Sequence, residues 1–154
     1  MSFKNWFLIL PLFLASIVTS NAQSTDIEAI KAVNEAFYAA LSARDLKAME
    51  AVWSKNPSII LIAPGSKTIN VGWDAVKNYW VTVFDLFPKI SITSEFSQGQ
   101  TDGKMAWLVG TETAQVQSKR GGEPVKMQSF VTHIFEKVGD RWLLVSHQSQ
   151  PVPK

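Results

Sequence analysis

The half of the chain that follows Pro88 constrains the fold most strongly, because apolar and polar residues alternate there through four successive segments. These segments are residues 90–96, 105–117, 125–138 and 141–150. Alternation with a period of two is typical of strands that bury one face. Gly139-Asp140 separates the last two segments in the manner of a tight hairpin turn. This half is therefore predicted to form an antiparallel meander.

Helical spacing dominates the preceding residues. A first helix is predicted from Thr25, with apolar residues recurring at steps of three and four. Its buried face comprises Ile27, Ile30, Val33, Phe37, Tyr38 and Leu41. Asp45 is predicted to cap a second helix that ends before Asn56-Pro57. A third helix, rich in aromatic residues, is predicted from residue 73 until Pro88 stops it, and residues 58–63 are predicted to form a short buried strand.

Three helices followed by a long antiparallel meander indicate an α+β fold in which the helices pack on a strongly curved sheet. Such a sheet leaves a conical cavity that is open at one end, and we expect function to lie there. Aromatic residues predicted to line the cavity are Tyr38, Trp53, Tyr79 and Trp80. Ordinary core packing is the alternative interpretation, above all for Trp53 and Trp80.

The N-terminal residues have the pattern of a secretory signal peptide. Lys4 precedes an apolar run over residues 6–18, and Ser20-Asn21-Ala22 offers small residues where a signal peptidase cuts. The run is shorter than the roughly 20 residues of a spanning helix, which disfavours the alternative of a membrane anchor. We therefore expect cleavage after Ala22, a single mature domain over residues 23–154, and a periplasmic or secreted location.

Composition excludes several classes of function. The chain has no cysteine and two histidines, which argues against a metal site and excludes a thiol nucleophile. Its net charge of +2 arises from scattered lysines, so a nucleic-acid partner is not expected. The sequence has neither a G-x-S-x-G elbow nor a phosphate-binding loop, and no cofactor is expected.

The two histidines lie on the two strands of the last hairpin. His147 has polar neighbours, which places it either in the pocket or at the solvent-exposed end of the sheet, and we favour the pocket. His133 is either a second pocket residue or a core histidine bonded to the backbone. A two-residue turn would pair Thr132 with His147 and point the two histidines to opposite faces, whereas a bulge would reverse this conclusion.

One acidic residue stands out on the long strand 105–117. Glu112 shares a face with Leu108, Ala114 and Val116, where burial would raise its pKa. It is a candidate for proton transfer, or it is paired across the sheet or at a dimer interface. Neutral polar residues elsewhere on these strands are candidate ligand contacts, namely Thr111, Thr113 and Gln128.

The chain resembles the SnoaL-like branch of the nuclear transport factor 2 superfamily. Three segments carry the resemblance: AFYAALSARDLKAMEAVW, NVGWDAVKNYW and FVTHIFEKVGDRWLLVSHQS. The last is similar to the association domain of calcium/calmodulin-dependent protein kinase II, whose relatives have an arginine where this chain has His133. The resemblance implies a cone-shaped fold, usually dimeric through the sheet, whose pocket serves isomerases, cyclases, dehydratases and binding proteins alike. Steroid-isomerase-like relatives have an aspartate on the strand after the second helix, and SIILIAPG offers no acid there.

Two hypotheses follow. In the first, the cone binds a small, largely apolar molecule that is oriented by Thr111, Thr113, Gln128, His133 or His147. In the second, the protein is a cofactor-free isomerase, cyclase or dehydratase that transfers protons through His147 or Glu112. A complete acid/base pair inside one pocket would favour the second. A homodimer is expected in both cases, because the strands have apolar residues on both faces.

Overall fold

The computed structural model describes residues 14–153, with side chains from Ser24 onward. Residues 1–13 of the predicted signal peptide therefore lie outside the described part. The elements are α1 (Leu14–Ala43), α2 (Leu46–Val52), β1 (Ile60–Ile62), β2 (Asn70–Val71), α3 (Trp73–Leu86), β3 (Lys89–Thr101), β4 (Met105–Gln117), β5 (Val125–Val138) and β6 (Arg141–Pro151). Among the helices so described, none has the length and apolar character needed to span a membrane.

The helices follow the predicted pattern with one difference. Asp45 caps α2 by accepting a hydrogen bond from the backbone N–H of Ala48 at 3.0 Å, as its position predicts. The first helix begins at Leu14 instead of Thr25. Residues 14–24 contain no glycine or proline, so nothing in their backbone interrupts the helix.

A six-stranded sheet forms the second layer, in the order β2-β1-β6-β5-β4-β3. The meander β3 to β6 is antiparallel, as predicted. The sheet as a whole is mixed, because β1 pairs with β6 in parallel and places Leu61 beside His147. Strand β2 was not expected from the sequence, since two residues are too short to show alternation.

A bulge bends the long β3–β4 pair at Gly110. The register shifts between Phe96 and Gln98, and Gly110 pairs with Phe96 at this point. A Cβ atom on Gly110 would stand 2.2 Å from the carbonyl oxygen of Glu95. Only glycine lets the two strands approach this closely, so Gly110 contributes to the curvature that forms the cone.

A second bulge decides the register of the last hairpin. Gly139 and Asp140 form the predicted two-residue turn, because Val138 pairs with Arg141. The register then shifts, with Phe135 opposite Leu144 and Ile134 opposite Ser146. Val145 is thus an extra residue in β6. Of the two registers that the sequence left open, the hairpin has the bulged one, which places His133 and not Thr132 directly opposite His147.

The core lies between the helices and the inner face of the sheet. Its fully buried large side chains include Ile30, Phe37, Met49, Trp53, Ile59, Leu61, Phe135 and Leu144. In the helical layer that covers this core, Arg44 donates hydrogen bonds to the carbonyl oxygens of Phe84 at 2.9 Å and Pro88 at 3.0 Å. These contacts join the end of α1 to the end of α3, where unpaired helix carbonyls need donors.

Candidate functional site

The two histidines are bonded to each other beneath the helices. Nε2 of His133 lies 2.6 Å from Nδ1 of His147, and both rings are almost fully buried. Because they are directly opposite on β5 and β6, both point to the inner face of the sheet. The interpretation without a bulge, in which the two histidines point to opposite faces, is therefore wrong, and the bulge at Val145 is the physical reason.

Asn34 on α1 completes this buried polar chain. Its Oδ1 lies 2.7 Å from Nδ1 of His133. Aromatic rings enclose the pair, with the ring of Phe37 centred 5.0 Å from that of His133 and 5.2 Å from that of His147. Hydrogen bonds to Asn34 and between the rings reduce the cost of placing two imidazoles in an apolar core.

Both imidazoles are neutral at physiological pH. Burial lowers the pKa of His147 to about 3. Burial is also the main cause that holds the pKa of His133 well below its usual value, and the charge of a protonated His147 would lower it further. A neutral imidazole has one N–H donor and one acceptor nitrogen, so this pair can accept or donate a hydrogen bond without bearing charge.

Glu112 lies on β4, on the same inner face as the histidines. One of its carboxyl oxygens accepts a hydrogen bond from the hydroxyl of Tyr38 at 3.1 Å, and the other accepts from the hydroxyl of Ser149. Burial raises the pKa of Glu112, while the bonds from Ser149 and Tyr38 act in the opposite direction. Burial, and then the negative charge of Glu112, raise the pKa of the Tyr38 hydroxyl. This carboxyl can therefore take up a proton more readily than an exposed glutamate.

A cavity of about 160 Å³ brings Glu112 and His147 to one site. Its other lining residues are Leu41, Ala63, Pro64, Tyr79, Trp80, Val83, Phe87, Ile90, Ile92, Ala114, Val116 and Met127. They come from α1, α3, the inner face of β3 to β5, and the residues that directly follow β1 and α3. The wall is thus mainly apolar and aromatic. Its buried polar groups include the carboxyl group of Glu112, the imidazole of His147 and the indole N–H of Trp80, which has no hydrogen-bond partner among the described residues.

The structure places the predicted site residues in four environments, of which the outer face of the sheet is the last. Tyr79, Trp80, Glu112 and His147 line the cavity. Tyr38 and His133 do not line this cavity. They bond to Glu112 and His147 respectively, and they line a separate, smaller cavity. Trp53 is a core residue that packs against Phe37 and pairs with Leu144, which agrees with the packing alternative.

Thr111, Thr113 and Gln128 do not line this cavity. Residues alternate across a strand, and Glu112 faces inward, so Thr111 and Thr113 lie on the outer face. Gln128 pairs with Thr113 and is exposed on that same face. The expectation that these three residues orient a ligand in the cone therefore needs correction.

The described residues include no cluster of three or more His, Cys, Asp or Glu side chains able to hold a metal ion. The polar groups of the site are instead linked by direct hydrogen bonds: Asn34 to His133 to His147, and Tyr38 and Ser149 to Glu112. Asn34 was missed from the sequence, although it lies on the buried face of α1, four residues after Ile30 and three before Phe37. A polar residue at such a position is a signal that a buried partner exists.

Comparison with known proteins assigns the family. The SnoaL-like domain matches residues 30–153. The chain belongs to this family. This agrees with the resemblance carried by the sequence, and the SnoaL-like domain contains the whole site described above. No curated protein matches the chain.

Solved structures share the fold of this SnoaL-like domain. A candidate dehydratase of the NTF2-like family from Streptomyces avermitilis superposes with a TM-score of 0.74 at 21% identity, over 85% of this chain and 99% of that one. A candidate calcium/calmodulin-dependent protein kinase type II association domain from Thiobacillus denitrificans gives 0.69 at 22% identity, over 80% and 94%. A ketosteroid isomerase-like protein from Erwinia carotovora atroseptica gives 0.71 at 18% identity, over 82% and 96%. At these identities the likeness establishes the fold.

Proposed function

We propose that this SnoaL-like domain binds a small, largely apolar molecule in the cavity, with the polar group of the molecule against Glu112 and His147. One observation carries the proposal: two buried polar residues face a space whose wall is otherwise mainly apolar. Such a wall favours transfer of an apolar molecule from water, and a few polar groups fix its orientation.

The volume limits the size of this molecule. A cavity of about 150 Å³ in an unrelated protein holds one benzene molecule. The cavity here, at about 160 Å³, therefore suits a single six-membered ring with one or two substituents. A steroid or another fused polycyclic ligand would require the walls to move.

Two neighbouring residues on β4 offer a matched test of this proposal. Ala114 lines the cavity, whereas Thr113 lies on the outer face. Ala114→Phe fills the cavity and Thr113→Phe adds similar bulk outside it. In NMR titrations with phenol, cyclohexanol and cyclohexanone, we expect binding by the wild type and by Thr113→Phe, and none by Ala114→Phe. Equal binding by both variants, or no binding of any probe to the wild type, would contradict the proposed site.

Proton transfer is a second candidate function, favoured by the presence of Glu112 and His147 in one cavity. Because its pKa is raised, the carboxylate of Glu112 is a stronger base than an exposed one. It can take a proton from a carbon beside a carbonyl, and the acid so formed can return the proton at another carbon, an isomerisation that needs no co-reactant. The solved relatives described as a dehydratase and an isomerase-like protein support this class. Turnover of enolisable ketones or hydroxy compounds should be lost in Glu112→Gln and reduced in His147→Ala. Turnover that survives in Glu112→Gln would exclude the mechanism.

We also propose that a second copy of the chain covers the outer face of the sheet. Phe130 is 47% exposed and Met105 is 43% exposed there. The relative described as an association domain supports the same idea. Sedimentation of the wild type should give a dimer that Phe130→Glu converts to a monomer. A wild-type monomer at micromolar concentration would contradict this assembly.

We also propose that the protein is exported, because residues 4–22 have the pattern of a secretory signal peptide. Mass spectrometry of the protein expressed in a bacterium should find a mature chain that begins at Gln23, in the periplasmic or extracellular fraction. A full-length chain in the cytoplasm would overturn it.

A further inference from the structure

The buried chain Asn34–His133–His147 has a direction, and this direction determines which nitrogen of His147 bears a proton. Each neutral imidazole has one N–H and one lone pair. Between Nε2 of His133 and Nδ1 of His147, 2.6 Å apart, one atom must donate and the other must accept. Two arrangements of protons are therefore possible, and the partner at the far end selects between them.

Asn34 is that partner. The atom of Asn34 that lies 2.7 Å from Nδ1 of His133 is the carbonyl oxygen Oδ1, which can only accept a hydrogen bond. Nδ1 of His133 must then bear the N–H, which leaves Nε2 of His133 as the acceptor. His147 in turn donates from Nδ1. Its second nitrogen, Nε2, is consequently unprotonated, and His147 lines the cavity.

We infer that Asn34 acts as a positioning residue that sets the tautomers of both histidines, so that Nε2 of His147 selects a ligand with a hydrogen-bond donor, such as a hydroxyl group. This inference rests on the proposed function for its ligand half. A molecule that offers only an acceptor at this point would face the lone pair of His147 without a hydrogen bond, which weakens binding.

The chain allows a direct measurement, because His133 and His147 are its two histidines. In the uniformly ¹⁵N-labelled protein at pH 7, nitrogen-15 NMR of the imidazoles should show a protonated Nδ1 and an unprotonated Nε2 in both rings. An Nε2–H signal from His147 would overturn the inference. Because this experiment needs no ligand, it can fail or succeed independently of the proposed function.

Variants on α1 separate positioning from structural support. Asn34→Leu has a side chain of similar size but no acceptor, so the His147 Nε2 signal should move to a value between the protonated and unprotonated positions. Glu35→Leu, at the exposed neighbouring position, should leave it unchanged. An unchanged tautomer in folded Asn34→Leu would show that Asn34 does not set it.

A pair of matched ligands tests the selectivity. Cyclohexanol and cyclohexanone have nearly the same shape, and only the alcohol donates a hydrogen bond. We expect the wild type to bind the alcohol about threefold to tenfold more tightly, the range of one ordinary hydrogen bond. We also expect the His147 Nε2 resonance to move when the alcohol binds. Tighter binding of the ketone would overturn the selectivity, and failure of both to bind would overturn the proposed function while leaving the tautomers as a separate result.

Discussion

His133 and His147 lie directly opposite each other on β5 and β6, with Nε2 of the first 2.6 Å from Nδ1 of the second. This contact exists because Val145 is a bulge residue that shifts the register by one position. Without the bulge, one ring would face the outer side of the sheet. The inner face would then have a single imidazole, and no chain of hydrogen bonds could run from α1 to the cavity.

The buried histidines should make the protein sensitive to mild acid. The pKa of His147 falls from 6.5 to about 3 on folding, and that of His133 falls in the same direction. Between these values the unfolded chain binds protons that the folded chain does not, so the free energy of unfolding decreases as pH falls below about 6.5. In this pH range, each histidine lowers the free energy of unfolding by up to about 1.4 kcal/mol for each unit by which the pH falls.

Glu112 opposes this trend, because its raised pKa lets the folded chain bind a proton that the unfolded chain lacks. The expected net loss of stability per pH unit is therefore smaller than the sum for the two histidines. Urea unfolding at pH 7.0, about 6 and about 5 measures the free energy of unfolding at each pH. In the double variant His133→Gln/His147→Gln, the free energy of unfolding should no longer decrease as the pH falls. A wild type whose stability is constant over this range would contradict the buried, neutral pair.

The hydroxyl of Tyr38 should hold down the pKa of the Glu112 carboxyl. It donates one of the two hydrogen bonds that favour the ionised form, and Ser149 donates the other. Tyr38→Phe removes the hydroxyl and keeps the ring, so the pKa of Glu112 should rise further. Carbon-13 NMR titration of labelled glutamate measures this pKa.

Tyr79→Phe is the matched control for that experiment, because Tyr79 lines the cavity beside Glu112 but has no hydrogen bond to it among the described contacts. It should leave the titration of Glu112 nearly unchanged. A pKa that falls in Tyr38→Phe would mean that the hydroxyl does not stabilise the carboxylate.

Gly110→Ala should destabilise the sheet at its bulge. The new methyl group would meet the carbonyl oxygen of Glu95 at 2.2 Å, and this is backbone that cannot move aside without separating β3 from β4. We expect a loss of about 1 to 3 kcal/mol in the free energy of unfolding, the usual cost of overpacking. Thr111→Ala, at the next position on the outer face, should cost less. A Gly110→Ala variant as stable as the wild type would contradict the close approach of the two strands.

The sequence predicted most of the fold but less of the site. Local properties of the chain predict much of the fold. Alternation predicts the strands β4 and β5, and the preference of aspartate for the start of a helix predicts the cap Asp45. The bulge at Val145 does not follow from such properties, because its side chain suits either register. The sequence therefore left open whether the two histidines meet. Glu112 was recognisable as a carboxyl on an apolar strand face. Its partners Tyr38 and Ser149 are distant in sequence, and only the packing of α1 and β6 against β4 brings them together.

A crystal structure with 4-bromophenol tests the central claim most directly, because bromine can be located by its anomalous scattering. We predict a bromine peak inside the cavity among Ile90, Val116 and Met127, with the phenol hydroxyl within hydrogen-bond distance of Glu112 or Nε2 of His147. The Ala114→Phe variant should show no such peak. A wild-type crystal in which the compound occupies only the outer face of the sheet would contradict the account.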